Sequence, residues 1–167
     1  LSHDPKNTRL CCRADWNGEE VLSLSPMGVT VDGTDYGRMR RPGSASLRTV
    51  SGEKAVDAAA SLGYVEAVIP LEAVVDGDTS AQVEVRVFNE GFAYRLRVAG
   101  TGTREVSGEF AQWRMSEVGG LTGTAIPATG WTCTGEVLTP WSVARQTPAA
   151  ITNGLLFIDV PTGESRA

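Results

Sequence analysis

The chain has 167 residues, of which 41% are hydrophobic and 21% charged, and its formal net charge is −5. A domain of this length buries roughly 70% of its unfolded surface, so it needs neither a disulfide nor a metal to fold. The acidic balance argues against a nucleic-acid partner, because such proteins use clustered Lys and Arg to contact phosphates. The short basic cluster Arg38, Arg40 and Arg41 is interpreted as a solvated loop.

No apolar run is long enough to span a bilayer, so no membrane partner is expected. The first ten residues are polar and show no signal peptide, and the chain does not begin with Met. We therefore expect a processed or excised chain, for which export stays open.

The three cysteines, Cys11, Cys12 and Cys133, are interpreted chiefly as small buried hydrophobes. A disulfide from Cys133 to one of the other two is the alternative. A cysteine-rich metal site is not expected, because there is no CxxC pair and only one His.

Apolar alternation and turn residues predict short strands in the N-terminal half of the chain. These segments are 10–16, 20–24, 28–32, 47–51 and 64–75. Asn17-Gly18 is a favoured two-residue hairpin turn. Pro26 is expected to break the following ladder, and Pro70 to mark an edge strand or a bulge, because Pro has no N–H to donate. Residues 36–45 are predicted to form a surface loop.

Two short helices are predicted. Residues 53–62 are rich in Ala, with a capping residue before them and Gly63 after them. Thr147 and Pro148 suit the cap and first position of a single helical turn that Gly154 ends.

Residues 83–98 hold the clearest pattern in the chain, an alternation with a period of two on either side of residues 89–91. It predicts two antiparallel strands, each with one apolar face. The three-residue loop ending in Gly predicts a type I turn with a bulge. On the outer face, Glu84 is expected to meet Arg95 or Arg97 in an exposed pair worth about 0.2–1 kcal/mol.

Further strands are predicted at 103–107, 109–115, 137–145 and 155–160. Pro140 should interrupt its strand or place it at an edge, and the Gly- and Thr-rich interval 116–134 is expected to be irregular. About ten strands favour an all-β fold, an antiparallel β-sandwich that forms a single domain over residues 1–167.

Catalytic groups are not paired in this sequence. His3 lies in a polar terminus and is interpreted as solvated, so a His-based acid, base or triad is not expected. No spacing singles out two carboxylates for glycoside hydrolysis. All the candidates are expected at exposed positions: Glu66, Glu72, Glu84, Glu90, Glu105, Glu109, Glu117 and Glu136. Two acidic turns offer weak oxygen ligands for Ca²⁺: Asp32 with Asp35, and Asp76 with Asp78.

Two of the four tryptophans, Trp113 and Trp131, flank the Gly- and Thr-rich interval. Exposed aromatic rings stack on sugar rings, so these two residues are candidates for carbohydrate binding. Packing in the core or at its rim is the alternative.

Four segments, in order, resemble the N-terminal domain of family 97 glycoside hydrolases. The hairpin VEVRVFNEGFAYRLRV (83–98) resembles the stretch RVYDDGVAFRY of that domain, and LTPWSVA (138–144) resembles its TPWRV. LSLSPMGVTVDG (22–33) and VSGEFAQWRM (106–115) resemble two further segments. The hairpin and the TPW motif are the most specific of the four.

The resemblance implies a three-part enzyme, in which a β-super-sandwich of the galactose-mutarotase type precedes a (β/α)₈ barrel and a small C-terminal sandwich. Catalytic residues would then lie on the barrel and none in this chain. The barrel would be the partner, with Trp141 at the interface, and an oligosaccharide is a further candidate partner. The family also implies a periplasmic or extracellular bacterial protein.

The same resemblance implies a Ca²⁺ ion shared with the barrel, to which the N-terminal domain gives one Glu. That ligand should fall between Met115 and Leu138. Glu117 and Glu136 are the acids in this interval, and neither matches the family's motif.

The leading hypothesis is therefore a non-catalytic N-terminal sandwich of a family-97-like α-glycosidase, acting in carbohydrate metabolism. An independent carbohydrate-binding or structural β-sandwich module is the alternative. A small enzyme that uses Glu109 or Glu136 is a third, weaker option.

Overall fold

The computed structural model describes the chain over most of its length. The described residues are 1–4, 8–16, 18–54, 61–74, 80–88, 91–111, 113–115, 122–123, 131–139, 142–146 and 155–158. Every regular element among them is a β-strand, and none of them forms a helix long and apolar enough to cross a bilayer. The predicted helical turn at 147–154 lies outside the described residues.

Sixteen strands are present in these ranges. They are β1 (Ser2–Asp4), β2 (Arg9–Trp16), β3 (Glu19–Val31), β4 (Thr34–Asp35), β5 (Arg40–Pro42), β6 (Ser46–Lys54), β7 (Ser61–Ala73), β8 (Ala81–Phe88), β9 (Gly91–Val98), β10 (Thr103–Ala111), β11 (Trp113–Met115), β12 (Thr122–Gly123), β13 (Trp131–Thr134), β14 (Val137–Leu138), β15 (Ser142–Gln146) and β16 (Leu155–Ile158).

The strands form two sheets of eight strands each within the described part of the chain. The first sheet has the order β1-β2-β3-β10-β13, with β4 and β11 also paired to β3 and β12 paired to β11. The second has the order β16-β15-β9-β8-β7-β5, with β6 paired to β7 and β14 to β9. The predicted irregular interval 116–134 thus contains β12 and β13. The strand predicted over 137–145 is divided into β14 and β15, as expected, and Pro140 itself lies outside the described residues.

One hydrophobic core lies between the two sheets. Side chains from both sheets are buried in it: Leu10, Cys12, Leu22, Met27, Val29, Val31, Tyr36, Leu71, Ala81, Val83, Tyr94, Leu96, Val98, Val106 and Val137. Because successive residues of a strand face opposite ways, each strand presents its other residues away from the core. This packing of two antiparallel sheets confirms the predicted β-sandwich.

The predicted hairpin is β8 paired with β9 along the full length of both strands. Its turn differs from the prediction, because Phe88 is directly opposite Gly91, which leaves a two-residue loop at positions 89–90. Gly91 belongs to β9, and the next pair, Val87 with Phe92, follows without a register shift. The predicted bulge is therefore absent, and Gly91 continues the ladder.

β2 and β3 form the first hairpin, with Trp16 opposite Glu19 and Gly18 at a φ of +85°. The expected break at Pro26 is wrong, because Pro26 pairs with Cys11 inside the continuous strand β3. The ladder is instead irregular one step earlier, between the pairs formed by Cys12 and Ala14. A bulge there changes which face of β3 points inward, so that Leu22 and Met27, five positions apart, are both buried in the core.

The helix predicted over 53–62 is wrong at both of its described ends. Glu53 and Lys54 end β6, and Ser61 and Leu62 begin β7; Glu53 is opposite Leu62, and Lys54 is opposite Ser61. Helix propensity is a weak local preference, and pairing within an eight-stranded sheet overrides it. Residues 55–60 lie outside the described residues.

The loop predicted over 36–45 is partly wrong, because it contains β5 and two buried side chains. β5 pairs with β7, from Arg40 opposite Ala73 to Pro42 opposite Leu71. Arg40 is buried, and its guanidinium lies 4.9 Å from the centre of the Tyr36 ring. This cation–π contact with the Tyr36 ring stabilises the buried positive charge of Arg40. Arg38 and Arg41 are exposed, as predicted.

Pro70 lies in a strand with neighbours on both edges rather than in an edge strand. It is opposite Gln82 of β8, and its carbonyl oxygen accepts a hydrogen bond of 2.8 Å from the N–H of Gly43. The N and O of one residue point to the same side of an antiparallel strand. The missing N–H of Pro70 therefore faces the connection between β5 and β6, where no ladder bond is lost.

Two glycines, Gly28 and Gly37, lie where two backbone segments cross at close range. A Cβ on Gly37 would lie 2.4 Å from the carbonyl oxygen of Met27 and 2.7 Å from the Cα of Gly28. A Cβ on Gly28 would lie 2.7 Å from the Cα of Gly37. Any side chain at either position would push two backbone segments apart.

Hydrogen bonds hold this crossing in place. The N–H of Leu10 donates to the carbonyl of Gly37 at 2.8 Å, and the N–H of Tyr36 donates to that of Val29 at 2.8 Å. Asp35 accepts a bond of 2.8 Å from the N–H of Gly37 and one of 2.7 Å from Arg9. The segment that follows β4 is thereby tied to both β2 and β3.

The three cysteines carry free thiols, so the alternative of a Cys133 disulfide does not apply. Cys11 and Cys12 are buried, as predicted, and Cys133 is half-buried. Burial is the main cause that raises the pKa of Cys12 to about 12. Its thiol is therefore protonated at neutral pH.

Substituting Gly37→Ala should lower the free energy of unfolding by about 1–3 kcal/mol, because the new Cβ meets backbone that cannot yield cheaply. Urea unfolding measures the change. Gly108→Ala is the matched control, since no atom lies within 4 Å of its Cβ position. Equal effects of the two substitutions would show that the crossing is not tightly packed.

At pH 8, a thiol reagent should label Cys133 before the other two cysteines, because thiolate and access are both required for the reaction. Labelling of the native chain, followed by mass spectrometry, measures the order, and the urea-unfolded chain provides the control in which all three react. Simultaneous labelling of Cys12 and Cys133 in the native chain would contradict the buried position of Cys12.

Candidate functional site

The outer face of the second sheet carries a row of carboxylates covered by arginines. Glu66 is only 7% exposed, and it accepts a bond of 2.7 Å from Arg48 and one of 3.0 Å from Arg86. Glu66 is directly opposite Arg48 in β6 and Arg86 in β8, so the strand register itself creates the contacts. Arg86 also lies 4.7 Å from the centre of the Tyr64 ring.

A second buried carboxylate lies on the same face. Glu84 is 6% exposed and accepts a bond of 2.6 Å from Arg95, its opposite residue in β9. Arg97 approaches the other oxygen of Glu84 at 3.4 Å and donates a bond of 2.5 Å to Glu136. The predicted contacts of Glu84 are thus confirmed, whereas the predicted exposure of Glu66 and Glu84 is wrong, because arginine side chains cover them.

The arginines favour the ionised form of Glu66. The hydrogen bond from Arg48 is the first cause that lowers the pKa of Glu66, and burial opposes it. The hydrogen bond to Glu136 likewise raises the pKa of Arg97. A general acid needs a carboxyl group that holds a proton near neutral pH, usually through a raised pKa. Glu66 has the opposite environment, which suits a structural ion pair.

One oxygen of the Glu136 carboxylate is paired with Arg97, so a cation bound by Glu136 would lie near that positive charge. The calcium role that the resemblance implies for Glu136 stays a prediction. Glu117 lies outside the described residues. Among the side chains that the structure describes, no three of His, Cys, Asp and Glu come together as a metal site.

The acidic turn after β3 is also occupied by internal bonds. Asp32 accepts bonds from the N–H of Glu105 and from the guanidinium of Arg104, and these two contacts, in that order, lower its pKa. Asp35 is bound to Arg9 and to the N–H of Gly37. Both carboxylates therefore tie loops together. Asp76 and Asp78 lie outside the described residues.

The two candidate sugar-binding tryptophans are placed by their backbone, and their side chains lie outside the described part. Trp113 pairs with Gly123 of β12, and Trp131 pairs with Val106 of β10. Both are in the first sheet, and the carbohydrate-binding role assigned to them stays a prediction. Trp141 lies outside the described residues, and the interface assigned to it stays a prediction.

Glu66 is the member of this charged face that sequence reasoning missed. Its partners Arg48 and Arg86 are 18 and 20 residues away in sequence, so no local pattern joins them. The available signal was the alternation of β7 and β8, which puts Glu66 and Arg86 on the face opposite the apolar one.

Comparisons with solved structures return similar folds over 71% of this chain. A β-arabinopyranosidase matches with a TM-score of 0.59 and 18% identity, and the match covers 20% of that chain. A variant of a glycoside hydrolase family 97 enzyme from Pseudoalteromonas sp. strain K8 matches with a TM-score of 0.55 and 10% identity, covering 19% of its chain. Another variant of the latter enzyme, in complex with panose, gives the same values.

The chain therefore spans about a fifth of the length of these solved proteins. No curated protein sequence matches it. The sequence profile described as "Glycosyl-hydrolase 97 N-terminal" matches residues 1–142, which is most of the 167-residue chain. The resemblance predicted from the hairpin and the TPW motif is thus confirmed, and the chain belongs to the glycosyl-hydrolase 97 N-terminal family.

Proposed function

We propose that this chain is the non-catalytic N-terminal domain, residues 1–167, of a longer family-97-like α-glycosidase. The family match over residues 1–142 carries the proposal. The solved structures with the same fold support it, since about four-fifths of each lies beyond the matched part. In this proposal the sandwich packs against a barrel domain that performs the hydrolysis.

The charged face supports the non-catalytic part of the proposal. The two carboxylates of Glu66 and Glu84 are each bound by two arginines, and the pKa of Glu66 is lowered by these contacts, which is the opposite of what a general acid needs. Glycoside hydrolysis needs one carboxyl as acid and a second as base or nucleophile. A shared fold does not by itself supply such a pair of carboxyl groups, so hydrolysis has to be assigned to a site that contains one.

Other parts of the proposal follow from the family. A sugar-processing enzyme of this kind would act in the periplasm or outside the cell. An oligosaccharide partner for Trp113 and Trp131, and Ca²⁺ shared with the barrel through Glu117 or Glu136, are also part of the proposal.

The decisive test compares the purified chain with the full-length protein encoded by its reading frame. Both are incubated with chromogenic α-glucoside, α-galactoside and β-arabinopyranoside. We expect the full-length protein to hydrolyse at least one of them and residues 1–167 to hydrolyse none. Turnover by residues 1–167, or a reading frame without a barrel-like domain, would refute the proposal.

A structural role for Glu66 predicts that Glu66→Gln lowers the free energy of unfolding at pH 7 by on the order of 2 kcal/mol. The pKa of Glu66 is depressed, so its stabilisation is fully present above the ordinary carboxyl pKa of about 4.3 and is lost as pH falls through the depressed value. Urea unfolding at pH 7 and at acidic pH should therefore show a smaller difference between variant and wild type in acid.

Glu72→Gln is the control for this prediction. Glu72 pairs with the well-exposed Arg41 at 3.0 Å, and exposed pairs contribute less than about 1 kcal/mol. A Glu66→Gln change as small as that of Glu72→Gln, with no dependence on pH, would remove the structural role.

A further inference from the structure

The core-facing side of the second sheet is only partly covered. Three aliphatic residues at one corner of it remain exposed: Leu47 at 71%, Val65 at 42% and Val87 at 50%. We name these three residues the aliphatic corner. Exposed apolar residues scattered singly are ordinary, but neighbours on one face form a patch.

The strand register shows that the corner continues the core. Val65 is directly opposite Val87 in β8, and Leu47 is opposite Ala67, two positions along β7. Residues two apart share a face, so Val87 faces the same way as Val83, which is fully buried. Along β8, exposure rises from Val83 through half-buried Val85 to Val87. The core therefore ends before the sheet does.

The chemistry of the corner contrasts with that of the opposite face. Its described neighbours in the same rows are Thr49, Ala67, Val85 and Phe92, none of which is charged. The outer face of the same strands carries the ion pairs of Glu66 and Glu84. Among these neighbours only Phe92, which is half-buried, is aromatic and only Thr49 carries a hydroxyl, so the surface offers a sugar few of the partners that sugars usually bind. It suits permanent cover by polypeptide, as in the apolar centres of obligate interfaces.

We propose that the aliphatic corner is the docking surface for an apolar surface of the domain that follows this sandwich in the same polypeptide. The inference rests on the proposed function and specifies which face makes the contact. About four-fifths of each solved protein of this fold lies outside the matched part, and the matched family is described as N-terminal, so further polypeptide is expected to follow the sandwich. Covering the aliphatic corner would bury Val87 as Val83 is buried, so that the apolar face of β8 would be covered along its length.

Thiol accessibility tests the proposal. Val87→Cys and, separately, Leu47→Cys are placed in a Cys133→Ser background, because Cys11 and Cys12 are buried. Each variant is prepared as residues 1–167 and as the full-length protein, and the rate of maleimide labelling is measured. Leu24→Cys, on the exposed bulge of β3, is the matched control.

We expect labelling at positions 87 and 47 to be at least ten-fold slower in the full-length protein than in residues 1–167, with equal rates at position 24. Equal rates at all three positions in a full-length protein that is active would overturn the docking surface and leave the proposed function standing. A reading frame with no further domain would overturn both.

Two other occupants are separate outcomes. If residues 1–167 label slowly at position 87 and sediment as a dimer, a second copy covers the corner and the proposal is wrong. If panose slows labelling at position 87 in residues 1–167, the corner is a carbohydrate site and the proposal is again wrong.

Discussion

The neighbouring strands β7, β8 and β9 place apolar side chains in the core on one face and ion-paired side chains on the other. A slip of one residue would turn Val83 and Leu96 outward and Glu84 into the core. Burying a carboxylate without its arginines is expensive, so the slip is penalised on both faces. The register of these three strands then positions β5, β6, β14 and β15, each of which pairs with one of them.

The alternating hairpin and the sandwich were predictable because a period of two is written directly in residues 83–98. The pairing of Glu53 with Leu62 across two strands was not predictable, because the Ala-rich composition of residues 53–62 favours a helix locally. The burial of Arg40 likewise depends on the ring of Tyr36 and on pairing with β7, which no local pattern reveals. The alternation of residues predicts which face of a strand is apolar, but pairing between distant segments decides which side chains cover that face.

The candidate site divides in the same way. The contacts of Glu84 with Arg95 and Arg97 followed from cross-strand alternation, whereas its burial depends on how the arginine side chains lie over it. Glu66 required partners from both β6 and β8, and no local pattern shows which strands lie on either side of β7. A face whose charges are neutralised within the domain can remain beside water without attracting a specific ligand.

The crossing at Gly28 and Gly37 bears on how far such a sequence can drift. Alternation of apolar and polar residues can be satisfied by very many sequences, and the fold persists at 10% to 18% identity to the matched structures. The crossing is different, because a Cβ at either position would overlap backbone. Substitutions should therefore be tolerated at most positions on the strand faces and hardly at all at these two glycines. Distant descendants of this chain would keep both glycines after most residues of the hairpin had been substituted.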